Sequence, residues 1–229
     1  MKLEYPIWTQ HAFKLLIILL TTEALFIAFY YFDFVFSTPS TKYHQLISLD
    51  LEANIPSWFS TIQLFMIGLI PLMLAMSRNY QAPPSQGGLT LFGLGFIYLS
   101  LDEAASLHEK MTYAFYNNPL VPYFHGVHGI WITIYMGVML LMLALLWKDL
   151  IAIARQFPKE SWLFTLGMVV YLSGTGGAET VTFFYIDKTN PFVYLLEVIF
   201  EEGLEMAGAS IILTSVLLAA IKKSETIKP

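Results

Sequence analysis

Six runs of apolar residues, each about as long as a bilayer is thick, constrain this chain more than any other feature. A hydrocarbon core takes about 20 apolar residues per helix, with a range of roughly 17 to 25. The runs fall at about 13–36, 58–76, 89–108, 125–147, 162–186 and 192–221. Only 13% of residues are charged while 56% are hydrophobic, against about 25% charged in a soluble domain. Such a chain cannot clothe itself in water-compatible surface. The expected fold is therefore an all-α integral membrane protein, a single polytopic domain folded as a six-transmembrane-helix bundle. The first run is too long for the apolar core of a signal peptide, and no small-x-small site follows it, so it is expected to be retained.

The charges between the runs orient them. Alternating crossings put Lys2, Lys14, Arg78, Lys148, Arg155, Lys159, Lys222, Lys223 and Lys228 on one side, and only Lys42, Lys110 and Lys188 on the other. Short loops rich in Lys and Arg stay in the cytoplasm. Both termini are accordingly expected there, in a multi-pass protein of the cell membrane, specifically a bacterial inner membrane. Local signals refine the outline. Residues 46–55 alternate apolar and acidic side chains and suit the interface. Pro56-Ser57 opens the second run and Pro71 is expected to kink it. The third run is expected to continue as helix past His108 towards Tyr116, and KDLIAIARQFPKE to form an amphipathic connection after the fourth. Gly174, Gly176 and Gly177 suit close helix packing or local unwinding.

The acids carry the functional information. The third run ends YLSLDEAASLHEK, with Asp102, Glu103, His108 and Glu109; FHGVHGIW opens the fourth with His125 and His128. Glu179 follows the glycines, and EVIFEEGLEMAG supplies Glu197, Glu201, Glu202 and Glu205. In the expected topology all of these fall in the outer half of the membrane or at its edge, while Glu23 lies near the middle. Residues four apart on a helix differ by about 40° in direction, so Glu197, Glu201 and Glu205 form one stripe. Asp102 and Glu109 share a face of a continuous third helix. No Lys or Arg lies at the apolar centre of any run. A charge there costs at least about 2.5 kcal/mol, so protons, metal cations or water must neutralise the group.

Carboxylates with imidazoles and no thiolate suit zinc, iron or manganese. The expected metal ligands are Asp102, His108, Glu109, His125, His128, Glu179, Glu197, Glu201 and Glu205, with Glu103 and Glu202 as catalytic carboxylates. The chemistry would be either metal-assisted hydrolysis or di-metal oxidation, on a lipid or other amphiphilic substrate. A cation- or proton-coupled transporter is the alternative, since intramembrane acids and a Gly-interrupted helix serve transport equally well. A non-catalytic subunit of a membrane complex is a third. The plain structural alternative assigns His108, Glu109 and His125 to the wet headgroup layer, and makes Glu23 or Glu179 protonated glue between helices. With no cysteine, disulfides, thiolate metal sites and a cysteine nucleophile are excluded. HExxH and paired Glu-x-x-His elements are absent, and no basic run points to nucleic acid.

Overall fold

Caps and prolines set where the helices begin and end. The computed structural model describes residues 4–36, 42–77, 82–115, 130–178, 181 and 190–226. Its regular elements are all helical: α1 (Glu4–Phe36), α2 (Lys42–Ile47), α3 (Ile55–Ala75), α4 (Gln86–Ala105), α5 (Leu107–Phe115), α6 (Ile130–Gln156), α7 (Pro158–Leu172) with a π-helical turn at Ser173–Ala178, and α8 (Pro191–Thr226). Asn54 starts α3: its side chain accepts the Ser57 N–H at 3.1 Å, and Ser57 Oγ accepts the Asn54 N–H in return. Pro56 occupies the first turn, where a missing N–H costs nothing. Ser85 caps α4 by accepting the Gly88 N–H at 2.9 Å.

Among the described residues five helices are long and apolar enough to cross a membrane, those within Trp8–Phe36, Ile55–Ala75, Gln86–Ala105, Trp131–Gln156 and Pro191–Ser224. This makes the chain an all-helical, multi-pass membrane protein. Two expectations change in detail. The third run does not continue past His108 as one helix: α4 stops at Ala105, Ser106 adopts a left-handed conformation (φ 47°), and α5 starts afresh at Leu107. The stretch after Trp147 is no separate connection but the last turns of α6, which runs to Gln156 and breaks before Pro158, since the residue ahead of a proline is disfavoured in helix. Pro71 lies inside α3, which continues through it to Ala75.

α3 and α8 form the centre. α8 packs on α1, α3 and α7, and α3 packs on α4. Leu64 and Ile67 of α3, Phe96 of α4, Tyr171 of α7 and Ala209, Ile212 and Leu213 of α8 make one core. Lipid tails are as apolar as leucine, so helices in a membrane associate through close van der Waals fit more than through the hydrophobic effect. Glycines permit that fit. A Cβ on Gly68 would lie 2.6 Å from Gly93 O, one on Gly93 would lie 2.7 Å from Gly68 O, and one on Gly208 would run into the backbone of Tyr171. α6, by contrast, is exposed along nearly its whole length. It is tied at one end by Asp149, which accepts the Ser85 N–H (2.6 Å) and Oγ–H (2.8 Å). At the other end Trp131 stacks on His108, with centroids 5.1 Å apart.

Gly93→Leu and Gly208→Leu force apart backbones already in contact and should each destabilise the protein by roughly 1–3 kcal/mol, the usual cost of overpacking. Gly137, where nothing lies within 4 Å of an added Cβ, should accept alanine with a gain of up to about 1 kcal/mol. Thermal unfolding in detergent reads all three. A Gly208→Leu protein as stable as the wild type would show that the α7–α8 contact is looser than described.

Candidate functional site

Between α4, α6, α7 and α8 lies a cavity of about 1050 Å³. Its two ends differ in chemistry. Along one stretch the walls are Phe92 and Leu99 of α4, Met139, Met142 and Leu146 of α6, and Phe164 and Met168 of α7. At the other end Asp102, Glu103, His108, Glu109, Glu197, Glu201, Glu202 and Glu205 all reach the lining. These are the carboxylates and the imidazole singled out from the sequence, save His125, His128 and Glu179, which lie outside the described residues. Among the described residues, no Lys or Arg lines the cavity.

The break at Ser106 builds the first part of this site. Because the chain reverses there, the His108 N–H donates to Asp102 Oδ1 at 2.8 Å and the ring Nδ1 meets Asp102 Oδ2 at 3.1 Å. The shared helical face expected for Asp102 and Glu109 does not form, because the helix on which it depended is interrupted. In its place stands a carboxylate–imidazole pair, the arrangement that fixes a histidine's tautomer and orientation. Trp131 covers the ring, Tyr135 stands edge-on to Trp131 at 5.6 Å, and the Tyr135 and Tyr98 hydroxyls lie 3.1 Å apart. His108 lies beyond the end of α4. Burial pulls its imidazole pKa down, but the hydrogen bond to Asp102 and the charges of Asp102, Glu109 and Glu103 outweigh it, and the net shift is upward.

Glycines build the second part. Gly174, in the π-helical turn, sits so close to α8 that an added Cβ would lie 2.7 Å from Glu201 O and 2.8 Å from Glu205 Cγ. A side chain at 174 would displace the very turn of α8 that carries the two acids. The π turn widens the backbone locally, as such turns often do at functional sites. Of the two expectations for these glycines, close packing is met at Gly174 alone, since nothing lies within 4 Å of a Cβ at Gly176, and the π turn departs locally from the α-helix. The Glu197–Glu201–Glu205 stripe faces the cavity, and Glu197 is only 6% exposed.

A third part was not assigned from the sequence. Glu52 also lines the cavity. It sits in the loop between α2 and α3, which Asn54 folds back by donating from Nδ2 to Ser48 O and Leu51 O, each at 2.6 Å, with Ala53 left-handed (φ 58°). Burial, followed by the charges of Glu109 and Asp102, pushes the Glu52 carboxyl up to about 7, with His108 and Lys110 opposing. Its Oε2 is buried without a hydrogen-bond partner. Only its place in an alternating apolar–acidic segment hinted at it, and that pattern equally fits an interfacial strip. Asp50 beside it accepts the Tyr194 hydroxyl at 2.5 Å, which ties the loop to α8.

Among the described residues no three His, Asp or Glu side chains stand at a spacing that would hold a metal ion. What the arrangement offers is negative charge and acceptors at the mouth of an apolar chamber, so an occupant carrying a cation and an apolar body fits it and an unaccompanied anion does not.

Residues 15–221 match the family described as Domain of unknown function (DUF8692). The chain belongs to that family. The match runs from within α1 to the last turns of α8, so every helix that lines the cavity, and every acid in it, falls inside the family region. No curated protein and no solved structure matches the chain.

A cation at this site needs Glu52 ionised, so its affinity should rise as pH passes upward through about 7, with release of a proton. In the ligand-free protein the sign is opposite. A carboxyl raised in the folded state contributes stability that is full below its ordinary value near 4.5 and is lost as pH climbs through about 7. Thermal unfolding of the metal-free protein should therefore show lower stability at pH 8 than at pH 5. Glu52→Gln should flatten that difference, and a difference unchanged by the substitution would locate the titration elsewhere.

Proposed function

We propose that this protein is an integral membrane enzyme that holds an amphiphilic substrate in the cavity, apolar part between α4, α6 and α7 and polar end at the acids. One observation carries the reading: the acids gather at one end of a chamber whose remaining walls are hydrocarbon, methionine and aromatic rings. That division matches a molecule with one polar end. A divalent metal, zinc, iron or manganese, is the proposed partner of the carboxylates. His125 and His128, with Glu201 and Glu205, are its proposed ligands, alongside Asp102, Glu109, Glu197 and Glu179. Such a metal supplies a Lewis acid and an activated water for hydrolysis, or an oxidising centre if two are held. Glu103 and Glu202 are the proposed proton-transferring carboxylates. The Asp102–His108 pair orients an imidazole for ligation or for general base work.

The proposed topology has six crossings, with α7 and its π turn as the fifth. The 15 residues of α7 and the six of the π turn make a rod of about 30 Å at 1.5 Å per residue, a bilayer's thickness. Both termini then lie in the cytoplasm of a bacterial inner membrane, and the acids open to the outer side. Reporter fusions after Tyr80 and Gln156 should signal cytoplasm, and those after His44 and Tyr116 the outer side. The reverse pattern would overturn the topology and the outer placement of the site together.

Cation- or proton-coupled transport is the second reading. It is favoured by Glu23, a carboxyl 3% exposed and remote from the cavity lining. Elemental analysis separates the two. The enzyme reading expects near-stoichiometric zinc, iron or manganese, lost at least tenfold in Glu201→Gln and His128→Ala. Metal-free protein with intact fold would remove it. Cation flux into vesicles that those substitutions abolish would install the transporter in its place.

A further inference from the structure

A second polar system lies away from the cavity, where α1, α3 and α8 meet. Glu23 sits midway along the apolar part of α1, Gln63 lies in α3 and Ser210 in α8, and their exposures are 3%, 2% and 0%. Ser210 donates its hydroxyl to Glu23 Oε1 at 2.5 Å. Gln63 Nε2 donates to the same oxygen at 3.1 Å and to Ser210 Oγ at 2.7 Å. The three side chains close a triangle of hydrogen bonds through the middle of the bundle.

The hydrogens of this triangle are all committed. An amide nitrogen has two hydrogens and a hydroxyl has one, and all three are engaged in the bonds just given. Gln63 Oε1 remains buried with no hydrogen-bond partner. An ionised glutamate would put a full charge in this buried place with neutral donors alone to offset it, whereas a protonated one carries none. The surrounding charges agree. α3 contains no ionisable side chain. On α1 the next such groups outward are Tyr30 and Asp33, the latter engaged by His44 of α2, and inward Lys14 lies more than two turns away. On α8 the outward groups are the acids Glu202 and Glu205, and the inward cations Lys222 and Lys223 lie more than three turns from Ser210, with Lys222 on Glu160. Among the described residues no cation is placed to compensate an ionised Glu23, and the nearest acids oppose ionisation. A metal ion fits poorly as well, since Gln63 turns its N–H towards Glu23 Oε1 and its oxygen elsewhere.

We infer that Glu23, Gln63 and Ser210 form a proton-binding site in the middle of the membrane, separate from the acid-lined cavity. The proton resides on the Glu23 carboxyl and exchanges with the medium. The site stands whether or not the cavity holds a metal, because none of its three residues lines the cavity.

Infrared spectroscopy of the full-length protein in lipid at neutral pH tests this. The difference between wild type and Glu23→Gln should contain the C=O band of one carboxylic acid, above the carboxylate region. That band should shift down in D₂O and be the same in sodium chloride as in choline chloride. Absence of a Glu23-dependent band would mean that the group is ionised, which overturns the proposal. A band that never shifts in D₂O would make Glu23 a fixed structural acid rather than a binding site, and loss of the band in sodium would make the ligand sodium. If Glu23→Gln fails to fold, Ser210→Ala serves instead. Removing the hydroxyl that donates to Oε1 should move the same band to higher frequency, and an unchanged spectrum overturns the assignment.

Discussion

Carboxylates crowded at one end of an apolar cavity are the condition on which the rest of this structure turns. Eight acid or imidazole groups named from the sequence, together with Glu52, border that cavity, and no Lys or Arg is among its lining residues that the structure describes. In a medium of low dielectric, like charges cannot all ionise at close quarters. The bundle meets this in different ways at different places. His108 is tied to Asp102 and drawn towards its charged form, and Glu52 is pushed towards its neutral form.

Holding those acids in place is the work of residues with no chemistry of their own. Gly174 and Gly208 bring the backbones of α7 and α8 into contact, and that contact fixes the rotation of α8. Since Glu197, Glu201 and Glu205 lie on one stripe of α8, its rotation decides whether they meet the cavity or lipid. Ser106 does the same for α4 and α5: its left-handed turn swings His108 back on to Asp102. The site is thus specified by two backbone features on separate elements, and neither touches an occupant.

The cavity and the Glu23 triangle use polar groups in opposite ways. In the cavity, carboxylates from four segments border one space. In the triangle three side chains are packed to near-total burial and bonded directly to one another. The first arrangement suits an exchangeable molecule of some size and the second nothing larger than a proton. Their common element is α8, which contributes Glu197 through Glu205 to one and Ser210 to the other.

By itself the sequence determined that the chain is helical and crosses a membrane, because apolar length and a shortage of charge are local properties that no tertiary contact can reverse. It also determined that acids at 102–109 and 197–205 had to be drawn inward, since lipid offers them nothing. Tertiary structure alone decided the rest. Glu52 joined the site because Asn54 folds its loop inward, a contact with no periodic signature. Glu23 found Ser210, 187 residues along the chain, a partner that no spacing rule reaches. The helix expected to run past His108 breaks at Ser106 because the hydrogen bonds gained by returning His108 to Asp102 exist only in the folded chain. Local pattern reports which side chains must leave the lipid. Which of them meet is fixed by how the helices turn against one another, and here that is set by glycines whose neighbours lie elsewhere in the sequence.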